Sequence, residues 1–544
     1  MTDLLKKVAV LISFYLKSNF SDAEIRVIND EIRQILDFEN DKNHYNFKKI
    51  SYEELQQILS SFNERVGKRK SNGVYYTAND VVRFIYCNSI KSLYNNLKST
   101  NLHVQDLNGI PYKELCYEKT VFDPTCGAGE FLIVALDVKF DMADFNQDYI
   151  SISDIKKVIS TIKGNDIDSN STIITKIRLF IYVLNRYGMS RITGISKILN
   201  SNFMNEDFIN LRDNYNEKYD VIIGNPPYVE DSKCDTQPQN KYGNVYANVL
   251  ENVSKCLNKN GVIGFIIPIS YVATPRMTKI RKIMNDKFDE QYILSYCDRP
   301  DCLFPSVHQK LCILIGKSNN TNKLNIYTGN YQFWYKEERK ELFSVVHTKL
   351  NKYITNDYIP KIGTKLDNSI YLKVNAKKQT LLDLLNGNNC SVFLNMRAAF
   401  WIKAFNAEHR SGEYKEFKTK DEDTSCLAIC ILNSSLFWWY WICVSDCWHI
   451  TKKELNEFKV PNVTEYNKFR NLAYKLENRL EKTKIYVGTK QTEYEYKHKS
   501  CINEIHEIDD LINNLYGLNE EESIYIKNYA YKYRIGGDYK DENN

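Results

Sequence analysis

Apolar positions recur at helical spacing over the first 65 residues, and Ser21 and Ser51 each precede such a stretch with Glu24 or Glu54 three residues on. That arrangement predicts two helices opened by capping boxes, and so a helical N-terminal segment over 1–65. From about 70 to 318 the texture changes to short apolar runs at 120–122, 161–163, 219–223, 261–267, 292–296 and 310–315, mostly separated by helical-period segments. Strands alternating with helices predict a mostly parallel sheet covered on both faces. The last two runs are joined by about a dozen residues without an evident helix, which predicts an antiparallel hairpin at the sheet edge. Beyond 319 the alternation fades into mixed segments, and from Glu465 the pattern is helical and charged. The expected organisation is a helical segment at 1–65, an α/β domain at 66–318, and a mixed α/β domain at 319–544 with a helical C-terminal part.

Composition narrows this picture without redirecting it. The chain has 544 residues, 43% hydrophobic and 26% charged, which excludes a disordered or fibrous protein. Lysine and arginine total 73 against 68 acidic residues, so any basic surface is local and charge names no partner. Fourteen cysteines carry no Cys-x-x-Cys pair, which predicts reduced thiols and a cytoplasmic setting. Cys443, Cys447 and His449 lie close together but lack zinc-finger spacing, so no metal is expected. Two apolar stretches test for a membrane. Lys6-Lys7 and the run from Val8 to Leu16 imitate a signal peptide, yet Asp3 precedes them and no small-residue cleavage site follows. The stretch 427–444 is uncharged, but Asn433, Ser434 and Ser435 interrupt it and Trp438, Trp439 and Trp441 cluster rather than flank it. A buried core helix is the expectation there, and no membrane partner.

Three loops carry candidate chemistry. Phe122-Asp123-Pro124-Thr125-Cys126-Gly127-Ala128-Gly129-Glu130 follows a short strand and opens a helix. Two glycines at that junction let backbone approach a ligand and leave the first helix amides facing it. The third glycine of a dinucleotide fingerprint and the Gly-Lys-Ser/Thr of a P-loop are both missing, which disfavours NAD and nucleotide triphosphates. Asp166, in Lys163-Gly164-Asn165-Asp166-Ile167-Asp168, ends the second strand, where a carboxylate accepts hydrogen bonds from ribose hydroxyls; a surface turn is the other reading. Asn225-Pro226-Pro227-Tyr228 follows the strand 219–224. Two prolines stiffen the bend and leave its carbonyls free, Asn225 adds a side-chain oxygen, and Tyr228 adds an aromatic face. Such a loop suits a planar amino group.

These three loops, in this order, resemble S-adenosylmethionine-dependent amino-DNA methyltransferases, in particular N6-adenine enzymes of the restriction-modification kind (type II, type IIG-like). Gly73-Val74-Tyr75-Tyr76-Thr77 resembles the family's cofactor-methionine block, whose position before the glycine loop gives the γ order. Lys241-Tyr242-Gly243-Asn244, the run 259–265 and Leu303-Phe304-Pro305 match later blocks, and Leu432-Asn433-Ser434-Ser435-Leu436-Phe437 resembles part of a recognition region. The resemblance implies a Rossmann-like seven-stranded methyltransferase sheet over 66–318, followed by a target-recognition domain. It implies that Thr77, Asp123, Pro124, Thr125, Cys126, Gly127 and Gly129 hold the methionine part of S-adenosylmethionine, and that Asp166 holds its ribose. Asp207 would accept from the cofactor's adenine amine, with Phe208 against the ring. Asn225 and Pro226 would accept from the target amine, Pro227 would stiffen the bend, Tyr228 would stack on the base, and Phe304 would pack on it from another side.

The implied partner is double-stranded DNA whose target adenine is flipped out, with a separate restriction endonuclease or defence-system subunit as a further partner. Lys68, Arg69, Lys70, Arg397, Lys403, Arg410, Lys452 and Lys453 are the candidate phosphate contacts. Four alternatives stay open: N4-cytosine methylation, where Ser usually replaces Asn225; a protein-glutamine or RNA methyltransferase; a nuclease fused to the methylase; and a non-catalytic specificity protein.

Overall fold

The computed structural model describes residues 2–36, 49–62, 78–95, 97, 101–102, 107–211, 215–234, 236–304, 308–318, 323–355, 357–409, 411–489 and 493–536. Both predicted capping boxes form: the Ser21 amide donates to Glu24 Oε2 at 2.8 Å, and the Glu54 amide donates to Ser51 Oγ at 3.1 Å. They open α2 (Asp22–Ile32) and α3 (Tyr52–Ser61), which follow α1 (Asp3–Asn19). Among the helices that follow are α4 (Asn79–Leu93), α5 (Glu130–Asn146) and α6 (Ser169–Tyr187). α1 and α3 lie on α6, so the N-terminal segment is packed onto the α/β domain rather than tethered to it.

The central sheet is built from β1 (Val121–Asp123), β2 (Ile162–Asn165), β3 (Phe203–Met204), β4 (Tyr219–Gly224), β5 (Leu257–Pro268), β6 (Glu290–Tyr296), β7 (Leu311–Lys317), β8 (Asn325–Thr328) and β9 (Lys349–Leu350). Its strand order is β9-β8-β6-β7-β5-β4-β1-β2-β3. β3 to β1, β4 and β5 run parallel, and β7 inserts antiparallel between β5 and β6. Runs such as Val221-Ile222-Ile223 and Val262-Ile263 are wholly buried, as strands covered on both faces must be. The antiparallel pairing of the last two predicted runs is present, but the hairpin is not the edge. β8 pairs parallel to β6, and β9 pairs antiparallel to β8, so among the described residues the sheet adds two strands to the seven that the resemblance implied. It therefore continues past residue 318.

The remainder is mixed. A three-stranded antiparallel sheet joins Cys390–Asn395 to Ala404–Phe405 and Tyr414–Thr419. Beside it the apolar stretch 427–444 is not one helix but two, α7 (Glu422–Asn433) and α8 (Ser435–Val444), bent by 63°. Ser434 makes the break, its hydroxyl accepting from the Phe437 amide as the N-cap of α8. Every residue of α8 is buried, including Trp438, Trp439 and Trp441. Among the described residues no single helix is long and apolar enough to cross a membrane.

Candidate active site

Because β1, β2, β4 and β5 are parallel, their carboxyl ends share one edge of the sheet, and the three candidate loops leave from it. The loop after β1 is tightly pinned. The Thr125 amide donates to Asp123 Oδ1 at 3.0 Å, the Cys126 amide to the Asn165 carbonyl at 2.8 Å, and the Gly127 amide to Asp166 Oδ2 at 2.9 Å. Gly127 and Gly129 take φ of +55° and +87°, a backbone region that glycine enters without Cβ strain. Burial pushes the Asp123 carboxyl well above the usual carboxylate range, with the Thr125 amide opposing and the Asp166 charge adding to the rise. Burial likewise pushes the Cys126 thiol well above its ordinary value, so it is no thiolate nucleophile.

Asp166 Oδ1 also accepts from the Asp168 amide at 2.9 Å, which fixes the carboxylate at the end of β2. Next to it, Ile167 is 67% exposed, an apolar side chain in the open beside an acidic one. Asn165 joins the neighbouring loops: its Nδ2 donates to the carbonyls of Pro124 and Glu206, each at 3.0 Å, and its Oδ1 accepts from the Glu206 amide at 2.9 Å. Glu206 leads into Asp207, whose carboxylate accepts from the Ile209 amide at 3.0 Å and from Asn210 Nδ2 at 3.1 Å. Phe208 is only 3% exposed, with its ring 5.8 Å from Phe122 and 6.3 Å from Tyr215. The exposed apolar surface at this edge is thus that of Ile167, not Phe208.

The Asn225 loop starts hard against the glycine loop. A Cβ placed on Gly224 would lie 2.8 Å from Asp123 Oδ1, so the ends of β4 and β1 approach at a distance only glycine allows. Pro226 is buried, whereas Asn225, Pro227 and Tyr228 are half-buried. Tyr228 donates its hydroxyl to the Ile266 carbonyl on β5 at 2.8 Å, which fixes its ring.

Phe304 lies in the loop between β6 and β7 and is 1% exposed. That loop is held on two sides. Arg339 Nη1 donates to the carbonyls of Cys302 and Leu303, each at 3.2 Å, while its other nitrogens grip Asp80 in the first turn of α4 at 2.6 and 2.9 Å. At its base Lys310 pairs with buried Asp298 at 2.7 Å under the ring of Trp448, whose centroid is 3.6 Å away.

Thr77 and its block, Lys68, Arg69, Lys70 and Arg410 fall outside the described residues. Of the other candidate phosphate contacts, Lys452 is exposed and Arg397 pairs with Glu413 at the surface. Lys453 is not available in this way: its ammonium donates to the carbonyls of Ala273 and Val444 at 2.8 and 3.1 Å, and burial lowers its pKa. Burial lowers that of Lys403 as well. Sequence reasoning gave no role to Asn165, Ile167, Thr175, Arg178 or Arg339. Only Asn165 and Ile167 had a local signal, their places on either side of Asp166.

Residues 160–302, which run from β2 through the Asn225 loop to the start of the Phe304 loop, match the Eco57I restriction-modification methylase family. Over those residues the chain is similar to a restriction-modification methylase domain. It is 24% identical over 283 residues to the modification methylase CviBIII of Paramecium bursaria Chlorella virus NC1A, covering 50% of this chain and 58% of that one. It is 26% identical over 174 residues to the type II methyltransferase M.VspI of Vibrio sp. (strain 343), covering 31% and 35%. The alignments therefore span less than two thirds of either relative. The type IIL restriction-modification enzyme MmeI, solved in complex with DNA, superposes with a TM-score of 0.52 at 11% identity, over 96% of this chain and 92% of that one. That likeness is one of fold.

The cofactor of a methylase domain of this kind is S-adenosylmethionine, and the edge just described fits it. An acidic group stands at the end of β2 beside open apolar surface, as a ribose next to an adenine ring requires. In the glycine loop, Thr125 Oγ1 is buried without a hydrogen-bond partner among the described residues, a polar atom suited to a polar ligand.

Proposed function

We propose that the protein is a site-specific DNA methyltransferase that methylates the exocyclic N6 of a flipped-out adenine in duplex DNA. The observation that carries this reading is the close approach of Gly224 to Asp123, which brings the Asn225 loop against the cofactor loop. The relatives' names support it, being those of modification methylases and type II methyltransferases. When bound, S-adenosylmethionine supplies an electrophilic methyl group on a sulfonium.

The chain's own residues supply positioning. The amine of adenine is a poor nucleophile because its lone pair is delocalised into the ring. Accepting hydrogen bonds from it, the Asn225 side-chain oxygen and the Pro226 carbonyl favour a pyramidal nitrogen whose lone pair is free to attack. Direct transfer of this kind rests on orientation and electrostatics, not on a covalent enzyme intermediate. Tyr228, tethered through its hydroxyl to Ile266, offers its ring face to the base and to the positive charge that grows on the nitrogen. Extruding the base from the duplex costs a few kcal/mol, which stacking and backbone contacts offset. Asp166 and Ile167 take the ribose and adenine of the cofactor. The half beyond the sheet reads the target sequence. The fourteen cysteines are all free thiols, in keeping with a cytoplasmic setting; a separate endonuclease or defence subunit is the further partner of this reading.

Asn225→Ala is expected to cut methyl transfer to DNA by at least ~100-fold while S-adenosylhomocysteine still binds. Sequencing of DNA from a methylation-free bacterium expressing the gene is expected to show N6-methyladenine at one motif. N4-methylcytosine would overturn the choice of base, and unmodified DNA the reaction itself.

A further inference from the structure

The carbonyls of the cofactor loop are tied back to α6. Thr175 Oγ1 donates to the Gly127 carbonyl at 2.9 Å, and Arg178 Nη1 donates to the Ala128 carbonyl at 2.6 Å. Three residues apart, Thr175 and Arg178 share one face of α6. Because a trans peptide is planar, holding the Gly127 oxygen toward α6 turns the Ala128 N–H away from that helix. In the next peptide, Arg178 holds the Ala128 oxygen while the Gly129 amide closes a turn onto the Cys126 carbonyl at 2.7 Å. The direction of the loop's donors is thus set by two side chains of α6.

Arg178 does not stand alone. It is 4% exposed, so its charge needs a partner, and it has one in Glu130, the first residue of α5. Both members of this pair are held by α3. Arg178 Nε donates to Gln56 Oε1 at 2.9 Å, Gln56 Nε2 donates to the Arg178 carbonyl at 3.1 Å, and Ser60 Oγ donates to Glu130 Oε1 at 2.6 Å. Gln56 and Ser60 lie four residues apart on one face of α3, so a single helix surface grips both ends of the ion pair.

We infer that the N-terminal helical segment braces the cofactor loop from behind: through Gln56 and Ser60, α3 fixes Arg178 and Glu130, and Arg178 is a positioning residue for the cofactor loop. The inference rests on the reading of that loop as the cofactor site. Gln56, Ser60 and Arg178 touch neither cofactor nor base. They act on cofactor affinity by setting the peptide planes of residues 127–129.

The test uses the full chain and S-adenosylhomocysteine, titrated calorimetrically, with methylation kinetics alongside. Gln56→Ala and Ser60→Ala are expected to weaken binding severalfold and Arg178→Met tenfold or more, with Arg178→Lys restoring most of the loss because it still reaches Ala128 and Glu130. The KM for S-adenosylmethionine should rise in parallel while kcat and the KM for DNA stay within twofold, a split that general destabilisation does not produce. In the Arg178→Met background, Gln56→Ala should add nothing. Wild-type protein that fails to bind S-adenosylhomocysteine would sink the cofactor reading. Wild-type protein that binds, with Gln56→Ala and Ser60→Ala folded and binding equally well, would overturn the inference alone.

Discussion

At Gly129 two constraints fall on one atom. Its φ is +87°, and an added Cβ would sit 2.5 Å from Thr175 Cγ2, on the helix that orients the loop. Gly129→Ala must therefore move Thr175 or the loop. It is expected to cost about 1–3 kcal/mol in urea unfolding and to weaken S-adenosylhomocysteine binding at least ~10-fold in calorimetry. Lys139 on α5 offers a different test, since its ammonium is fully buried and donates to the Lys119 carbonyl at 2.7 Å and to Thr161 Oγ1 at 2.6 Å. Burial pulls its pKa from 10.5 to about 7. Between those values the unfolded chain holds the proton that the folded one has released, so this lysine makes stability rise with pH from about 7 to 10.5 and contributes no slope below that window. In Lys139→Met that increment should vanish, and the difference between the two urea-melt profiles from pH 6 to 10 measures it.

Elements differ in how plainly the chain announces them. The strands that end in the glycine loop, Asp166 and Asn225 were legible because each is a short apolar run closed by distinctive loop residues, so strand and motif confirm each other locally. β8 and β9 were not, because strands of four and two residues carry no usable period. The α7–α8 pair read as one apolar stretch because residues 427–444 are buried all round and show no polar face, while the cap that the Ser434 hydroxyl makes with the Phe437 amide is a contact the apolar pattern does not announce. The burial of Phe208 and Phe304 and the Arg178–Gln56 contact across 122 residues depend on tertiary packing that no window of sequence contains. Arg339 belongs to the same class: it staples the Phe304 loop to Asp80 at the start of α4. Arg339→Ala and Asp80→Ala should each destabilise by about 1–2 kcal/mol, and the double variant by clearly less than their sum, as a double-mutant cycle of denaturant melts would read.

At the scale of the whole molecule, two lysines cap the C-terminal end of α8 and tie it to its neighbours. Lys361 is buried at the C-terminus of α8, where its ammonium donates to the carbonyls of Ile442 and Ser445 at 2.8 and 2.6 Å. Lys453 performs the same service for Val444 while reaching Ala273 beside β5. A cation there meets the partial negative charge of the helix end as well as its open carbonyls. Lys361→Met should leave those carbonyls buried and unmet at a cost of about 2–4 kcal/mol, seen as a lowered Tm in differential scanning calorimetry. Glu338 binds Lys532 and Tyr533, which draws the C-terminal helix at Tyr531–Ile535 to the same junction as Arg339. The reach of the sheet to Leu350 bears on any attempt to exchange recognition halves between relatives. A graft sewn at residue 318 would strip β8 and β9 from β6 and leave a naked strand flank that invites aggregation, so a soluble chimaera needs its seam no earlier than Leu350.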